Sequence, residues 1–410
     1  MTFASFAQFQ SYLDSLGLFS MQLGLSRMRV ALERMGLARP QAMVAHVLGT
    51  NGKGSTAGFL DALARAHGLK TGLYTSPHLV CVRERIRING QVLPQALWVD
   101  AANAVLRACS DVGLTYFELL TVMALDLFRQ AGLDLVILEA GLGGTHDATC
   151  AVSADLVAMT PVGLDHEAVL GPTLADIARD KSGALGRCPA VTGAQAAEVM
   201  DIFRQATGPH RLCSLEEYRS GCGYAIPFKP EPFLLTSALL PGHPPYQLDN
   251  AGLALLAWTS LTQGRGWPCD AGLCANALAR TRFAGRFCRH GRVLVDGAHN
   301  IMGLTALCEA LETGGARFDL LVFQVMRDKT LDADLLARLR ALARRVIVPG
   351  LPGLERASDP EVLARRFGPD AQACGDLRAA LALPGGSILL CGSLYLVGAY
   401  YSLYPEHLSA

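Results

Sequence analysis

The chain has 410 residues, half of them hydrophobic and 18% charged, with 36 basic side chains matched by 36 acidic ones. That length exceeds one ordinary core, so two domains or more are expected. The balanced charge gives no basic surplus for a nucleic-acid partner and no acidic tail.

Near the start, MTFASFAQFQSYL lacks a basic n-region and a cleavage site, so no signal peptide is expected and the cytoplasm is the expected location. VAHVLG (44–49) reads as a buried strand. Ser55 to Ala66 reads as a helix with Leu60, Leu63 and Ala64 on one face. GLYTS (72–76), DLVILE (134–139) and DLVAMT (155–160) are further buried strands, and TLADIARDKSGAL (173–185) a helix with Thr173 as N-cap. Strands alternating with helices predict a parallel sheet covered by helices. From Pro209 to Pro245 proline and glycine break the pattern into short strands and turns, and a helix resumes at Leu248. RTRFAGRF (280–287) reads as a junction. RVLVD (292–296), LLVF (320–323), RVIVP (345–349) and SILLC (387–391) then build a smaller α/β domain. The expected domains are 1–283 and 284–410. The apolar run 387–404 is long enough to raise a membrane helix, but Gly392 and Ser393 interrupt it, so a buried strand leading into a packed helix is expected.

Only five lysines occur: Lys53, Lys70, Lys181, Lys229 and Lys329. A chain that otherwise uses arginine keeps lysine where arginine does not serve. The twelve cysteines include no CxxC pair and no zinc-ligand spacing, so reduced core thiols are expected.

VAHVLGTNGKGST (44–56) joins a strand to a glycine-rich turn, Lys53, and a helix opened by Ser55 and Thr56. Glycines let backbone N–H groups converge on phosphate, the helix N-terminus adds its dipole, and lysine adds a point charge. The strict GxxxxGK[ST] spacing is not met, and one lysine in such a turn also fits an ordinary strand–helix link. Ligands of parallel α/β sheets gather beyond the carboxyl ends of strands. Ser76, Glu139 and His166 are read at three such ends, where a hydroxyl, a carboxylate and an imidazole would share magnesium with ATP phosphates. A histidine after a strand is also commonly structural.

GTNGKGST, LYTSPHLV, ERIRING, LTYFELLT, ILEAGLGG, GLDH, DKSG, AGRF, VDGAHN and GSLYLVG follow one another along residues 11 to 400. Together they resemble the folylpolyglutamate synthase/dihydrofolate synthase family of the Mur ligase superfamily. The resemblance implies an N-terminal P-loop-type ATPase domain and a smaller Rossmann-like C-terminal domain. The activity implied is a ligase: ATP converts a carboxylate to an acyl phosphate, and the amino group of L-glutamate displaces phosphate. Dihydropteroate or a reduced folate would be the acid, two magnesium ions would assist, and the protein would be a monomer.

Residue by residue, the resemblance places ATP on Thr50, Asn51, Gly52, Lys53, Gly54, Ser55, Asn250, Arg286 and Asp296. It places magnesium on Ser76, Glu139, His166 and Lys181, with Lys181 carbamylated by CO2; a surface ion pair of Lys181 with Asp180 or Asp176 is the structural alternative. The acid acceptor would meet Gln22, Leu23, Gly24, Thr115, Tyr116, Phe117, Glu118, Asp147 and Ala148, with Phe117 stacking on a flat ring. Lys329 would lie by the glutamate end, and His299 and Asn300 near the site. Catalysis would rest on Lys53, Lys181 and His166. Thr145, Cys150, Cys81 and Gln22 depart from the family pattern, which leaves open a folylpolyglutamate-only enzyme or a related Mur-type amide ligase with a divergent acid acceptor. A phosphate-loop ATPase or kinase without ligation is the reading from another class.

Overall fold

The computed structural model describes residues 2–17, 22, 24–208 and 212–408. It divides into two units. The first comprises residues 1–78, 82–241 and 247–281; the second comprises 79–81, 242–246 and 282–410.

The first unit is built on eight strands: β1 (Met43–Leu48), β2 (Thr71–Tyr74), β3 (Ile86–Ile88), β4 (Gln91–Val92), β5 (Leu135–Glu139), β6 (Leu156–Met159), β7 (Ala190–Thr192) and β8 (Leu212–Ser214), in the order β4-β3-β2-β5-β1-β6-β7-β8. β2, β5, β1, β6, β7 and β8 run parallel, while β3 and β4 form an antiparallel edge. β1 is buried along its whole length between β5 and β6, as a strand covered on both faces requires. Its His46 is inside too, and burial pushes that imidazole down to about 4, so it is neutral. The edge hairpin turns on Asn89-Gly90, both at positive φ (51° and 77°), the geometry that matches strand twist in a two-residue turn. A separate antiparallel sheet of β9 (Arg219–Ser220), β10 (Gly223–Ile226) and β11 (Phe233–Leu235) occupies the proline-rich region.

Five helices carry the residues of interest: α1 (Lys53–Ala66), α2 (Tyr116–Ala131), α3 (Leu174–Ser182), α4 (Tyr246–Arg265) and α5 (Ala271–Arg280). Thr115 begins α2 and Thr173 begins α3, each through a reciprocal capping box, with Glu118 and Asp176. α1 is buried on more than the expected face, with Phe59, Asp61 and Ala62 inside alongside Leu60, Leu63 and Ala64. α4 starts two residues before Leu248.

The second unit holds β12 (Cys288–His290), β13 (Val293–Val295), β14 (Phe318–Phe323), β15 (Ala343–Pro349), β16 (Gln372–Cys374) and β17 (Ile388–Cys391), ordered β12-β13-β17-β14-β15-β16 and parallel except for β12. The apolar run 387–404 is β17 followed by a helix at Leu394–Leu403. Gly392 (φ 106°) turns between them, and a Cβ there would lie 2.6 Å from the Gln324 carbonyl. Among the described residues no helix is long and apolar enough to cross a membrane.

Candidate active site

The loop leaving β1 is fixed by what surrounds it. Gly49 and Gly52 have φ of 133° and 87°, and a Cβ would lie 2.0 Å from Thr160 Oγ1 at the first and 2.2 Å from Asn250 Oδ1 at the second. Only glycine meets both demands. Thr50 N donates to the Pro161 carbonyl (3.0 Å), and Thr50 Oγ1 lies 3.1 Å from Gly163 O and 3.0 Å from Gly163 N. The loop is therefore tied to the segment leaving β6. α1 makes its first bond from Thr56 N to Gly52 O (2.9 Å), so its leading amides open onto the loop, the arrangement that accepts anions. Asn250 Nδ2 donates to Gln247 Oε1 (3.0 Å), and Gln247 Nε2 to Ser55 Oγ (3.1 Å), which connects α4 to the start of α1. Sequence reasoning missed Gln247; its i,i+3 spacing from Asn250 on a helix was the available signal.

Two lysines converge on one carbonyl. Lys53 Nζ donates to Gly49 O (3.3 Å) and Thr50 O (2.9 Å), while Lys181 Nζ, from α3, donates to Gly49 O at 2.9 Å. Burial, and then the nearby Lys53 charge, lower the Lys181 ammonium to about 7. The expected alternative, a surface ion pair, does not form. Asp180 Oδ2 instead accepts from Gly144 N (2.8 Å), and Asp176 caps its helix through Thr173.

Glu139 is the last residue of β5, and its Oε2 accepts from Ser76 N at 2.9 Å. Both its oxygens lie 3.4 Å from where a Gly54 Cβ would stand, which places the carboxylate beside the start of α1. The turn bearing Ser76 is clasped by Arg85, whose carbonyl accepts from Thr75 N (2.9 Å) and whose Nε donates to His78 Nδ1 (2.9 Å). Burial and then the Arg85 charge push His78 down to about 4, which keeps it a neutral acceptor. His166 corrects the sequence reading: β6 stops at Met159, and Pro161, which has no N–H, follows the last paired residues. His166 sits in the loop beyond, exposed, at φ 56°, as N-cap of the short helix Glu167–Leu170. Among the described residues no three His, Cys, Asp or Glu side chains form a metal cluster. The hydroxyl and carboxylate oxygens of Ser76 and Glu139 are hard donors beside an anion-accepting helix start, chemistry that suits a magnesium–polyphosphate complex.

The expected acid-acceptor residues divide by environment. Thr115 and Glu118 form the α2 capping box, and Glu118 also receives Arg27 Nε (3.0 Å to Oε2). Arg27 Nη2 donates to the Gln22 carbonyl (2.6 Å). Gln22 is exposed and Gly24 has φ 117°; Leu23 lies outside the described residues. Tyr116 is buried under the Arg85 guanidinium, 5.5 Å from its ring centre. Phe117 is half-buried, 5.7 Å from the Tyr74 ring, and its ring covers Gly141 so closely that a Cβ there would lie 2.7 Å away. Asp147 is buried and clamps its own loop, accepting from Leu142 N and Thr149 N (2.9 Å each), beside buried Ala148. At the departure Thr145, Oγ1 donates to the Asp180 carbonyl (2.7 Å).

In the second unit Asp296 accepts from Phe287 N (2.8 Å), Ala298 N (2.8 Å) and Tyr246 Oη (2.9 Å). Burial raises its pKa, and the Arg286 charge acts against that. His299 Nδ1 lies 2.9 Å from the Gly297 carbonyl, and Asn300 caps the helix Ile301–Thr313. Lys329 stands half-buried in the loop after β14, its N donating to Met326 O (3.0 Å).

No protein-family model matches the chain. The dihydrofolate synthase/folylpolyglutamate synthase of Escherichia coli (strain K12) is 34% identical over 405 residues, 95% of this chain and 93% of that protein. The folylpolyglutamate synthase of Lacticaseibacillus casei is 30% identical over 394 residues, 89% and 90% of the two chains. Among solved structures, E. coli FolC in complex with DHPP and ADP matches with a TM-score of 0.86 at 31% identity, covering 98% of each chain. The bifunctional folylpolyglutamate synthase/dihydrofolate synthase of Yersinia pestis, complexed with AMPPNP and Mn ion, matches with a TM-score of 0.85 at 30% identity over 98% of each.

Proposed function

The chain belongs to the folylpolyglutamate synthase/dihydrofolate synthase family, and from that premise we propose that it uses ATP to join L-glutamate to the carboxylate of dihydropteroate and of reduced folates. The carboxylate oxygen takes the terminal phosphoryl group of ATP and ADP leaves; the glutamate nitrogen then attacks the acyl carbon, loses a proton, and phosphate departs. The observation that carries this reading is the convergence of Lys53 and Lys181 on the Gly49 carbonyl at the opening of α1.

Thr50, Asn51, Gly52, Gly54 and Ser55 hold the phosphates through the loop and the leading amides, and Asn250 braces the loop at Gly52. Lys53 turns from its two carbonyls to the transferred phosphoryl oxygens. Ser76, Glu139 and His166 hold a divalent ion; the bonded pair Ser76–Glu139 supplies the hard-oxygen donors that fit it. Magnesium, when bound, neutralises charge developing on the phosphoryl group. Lys181, with its pKa lowered to about 7, offers a neutral amine to CO2: an N–C bond forms, a proton leaves, and an anionic carbamate replaces a cation beside Lys53. That carbamate supplies oxygens for a second ion. Phe117 presents its ring to the pterin, and Thr115, Tyr116, Glu118, Asp147, Ala148 and the Gln22–Gly24 segment shape that pocket. For the second unit the reading rests on the resemblance: Arg286 and Asp296 serve ATP, and Lys329 the glutamate end. A monomer in the cytoplasm completes it.

The test measures ADP release from the pure protein with ATP, magnesium and L-glutamate, adding dihydropteroate or a reduced folate in separate arms. Release that needs glutamate and either acid is the expected result. Release without any acid would replace the ligase with an ATPase, and release with reduced folate alone would leave only the folylpolyglutamate half.

A further inference from the structure

The loop between β1 and α1 leans on the segment that leaves β6. Thr50 N and Oγ1 bond to Pro161 and Gly163, and Gly49 packs directly on Thr160. On the β1 side Thr160 is held by the Leu48 carbonyl, which accepts from its N (2.7 Å) and its Oγ1 (3.0 Å). On the β7 side the ladder ends early. Thr192 is paired with Met159, and Gly193 N gives the last backbone bond, to the Met159 carbonyl (2.9 Å). Pro161 then has no N–H to offer.

Gln195 takes over where that ladder stops. Its Oε1 accepts from Val162 N (3.0 Å), and its Nε2 donates to the Thr160 carbonyl (3.0 Å) and to Thr192 Oγ1 (3.0 Å). One side-chain amide therefore brackets Pro161 with an acceptor and a donor, as the peptide groups of a neighbouring strand would. The partners fix its orientation: turned over, it would set NH2 against an N–H and oxygen against a carbonyl. Gln195 stands two residues before the helix Ala197–Thr207, whose Val199 and Phe203 are fully buried, so the amide is mounted on a packed element.

The chain of contacts from Gln195 to the two lysines is short. Val162 and Thr160 flank Pro161, the Pro161 carbonyl receives Thr50 N, and the Thr50 and Gly49 carbonyls receive Lys53. The Gly49 carbonyl also receives Lys181.

We propose that Gln195 is a positioning residue for the nucleotide: it holds Thr160–Gly163 in the one arrangement that keeps Thr50 and Gly49 in place beneath the phosphates. It acts at one remove, through Pro161 and Gly163 on Thr50. The proposal rests on the reading of Thr50–Ser55 as the phosphate loop.

Two variants of the full-length protein test it. Gln195→Leu removes both halves of the amide. Gln195→Glu keeps its shape and the acceptor for Val162 N but turns a carboxylate oxygen toward the Thr160 carbonyl, and it carries the test if the leucine variant does not fold. Affinity for Mg·ADP is measured by isothermal titration calorimetry, and KM for ATP and for L-glutamate by ADP release. Both variants are expected to bind Mg·ADP about tenfold more weakly, the effect of one lost hydrogen bond, and to raise KM for ATP in proportion. KM for L-glutamate should stay within about twofold of wild type, a split that general loosening of the fold would not produce. A folded variant with wild-type Mg·ADP affinity, or one in which both KM values rise together, overturns the proposal. Failure of the wild type itself to bind Mg·ADP overturns the phosphate-loop reading and the proposal with it. Binding without glutamate-dependent ADP release removes the ligase reading alone, and the calorimetric comparison then decides for Gln195.

Discussion

The surroundings of Gly49 and of Asp296 handle buried charge in opposite ways. Around Gly49, two lysines share one carbonyl and each raises the cost of the other's charge. Around Asp296, one carboxylate receives two backbone amides and a tyrosine hydroxyl. In the second arrangement three protein donors offset part of the cost of burial. The first is electrostatically costly until anionic oxygens join it. The first leaves its cost for a ligand to offset, and the second offsets part of its cost with its own donors.

Replacing Lys53 with alanine breaks the comparison most. Steady-state ADP release should fall by about 10³-fold, in the range of losing a donor that stabilises developing charge; near-normal turnover would sink the assigned role. Lys181→Ala comes next, with activity expected to fall about 10²-fold and to return in part when formate or acetate is added as a surrogate for the lost carbamate. A fully active variant would remove the carbamate from the mechanism.

Asp296→Asn tests the second arrangement through stability. With Oδ1 still on Ala298 N, the new amide faces the Phe287 N–H, a donor against a donor, at a non-glycine residue with φ of 55°. Chemical denaturation of the second unit should show a loss of about 2 kcal/mol; no change would mean that the three donors find other partners. A pH dependence closes the series. Without CO2, Lys181 has a folded pKa near 7, below its unfolded value of 10.5. Between those values the unfolded chain holds the extra proton, so stability rises with pH and is lowest below 7. The melting temperature of the first unit in CO2-depleted buffer should rise across that window, and Lys181→Met should flatten the rise.

The strands around the site were legible because a strand buried on both faces needs an uninterrupted apolar run, as β1 and β5 show. The capping Thr173 was legible because its partner is local. His166 was misplaced at a strand end because VGLD looks like a strand continuation, whereas pairing stops at Pro161. What Lys181 touches is set by Gly49, far away in sequence, and no local pattern encodes that. Thr115 and Glu118 were read as ligand contacts, but their side chains also build the helix start. A sequence motif does not separate a residue that touches a ligand from one that shapes the backbone around it.

Arg27 gathers three parts of the molecule in one guanidinium: the Gln22 carbonyl, the Glu118 carboxylate, and through Glu118 the first turn of α2. The loop before Arg27 and the ring of Phe117 are therefore not independent variables for evolution. Losing Glu118 removes the anchor that Arg27 shares between Gln22 and the start of α2, so on the reading proposed above a shift in acid preference would arise as linked changes at the two segments.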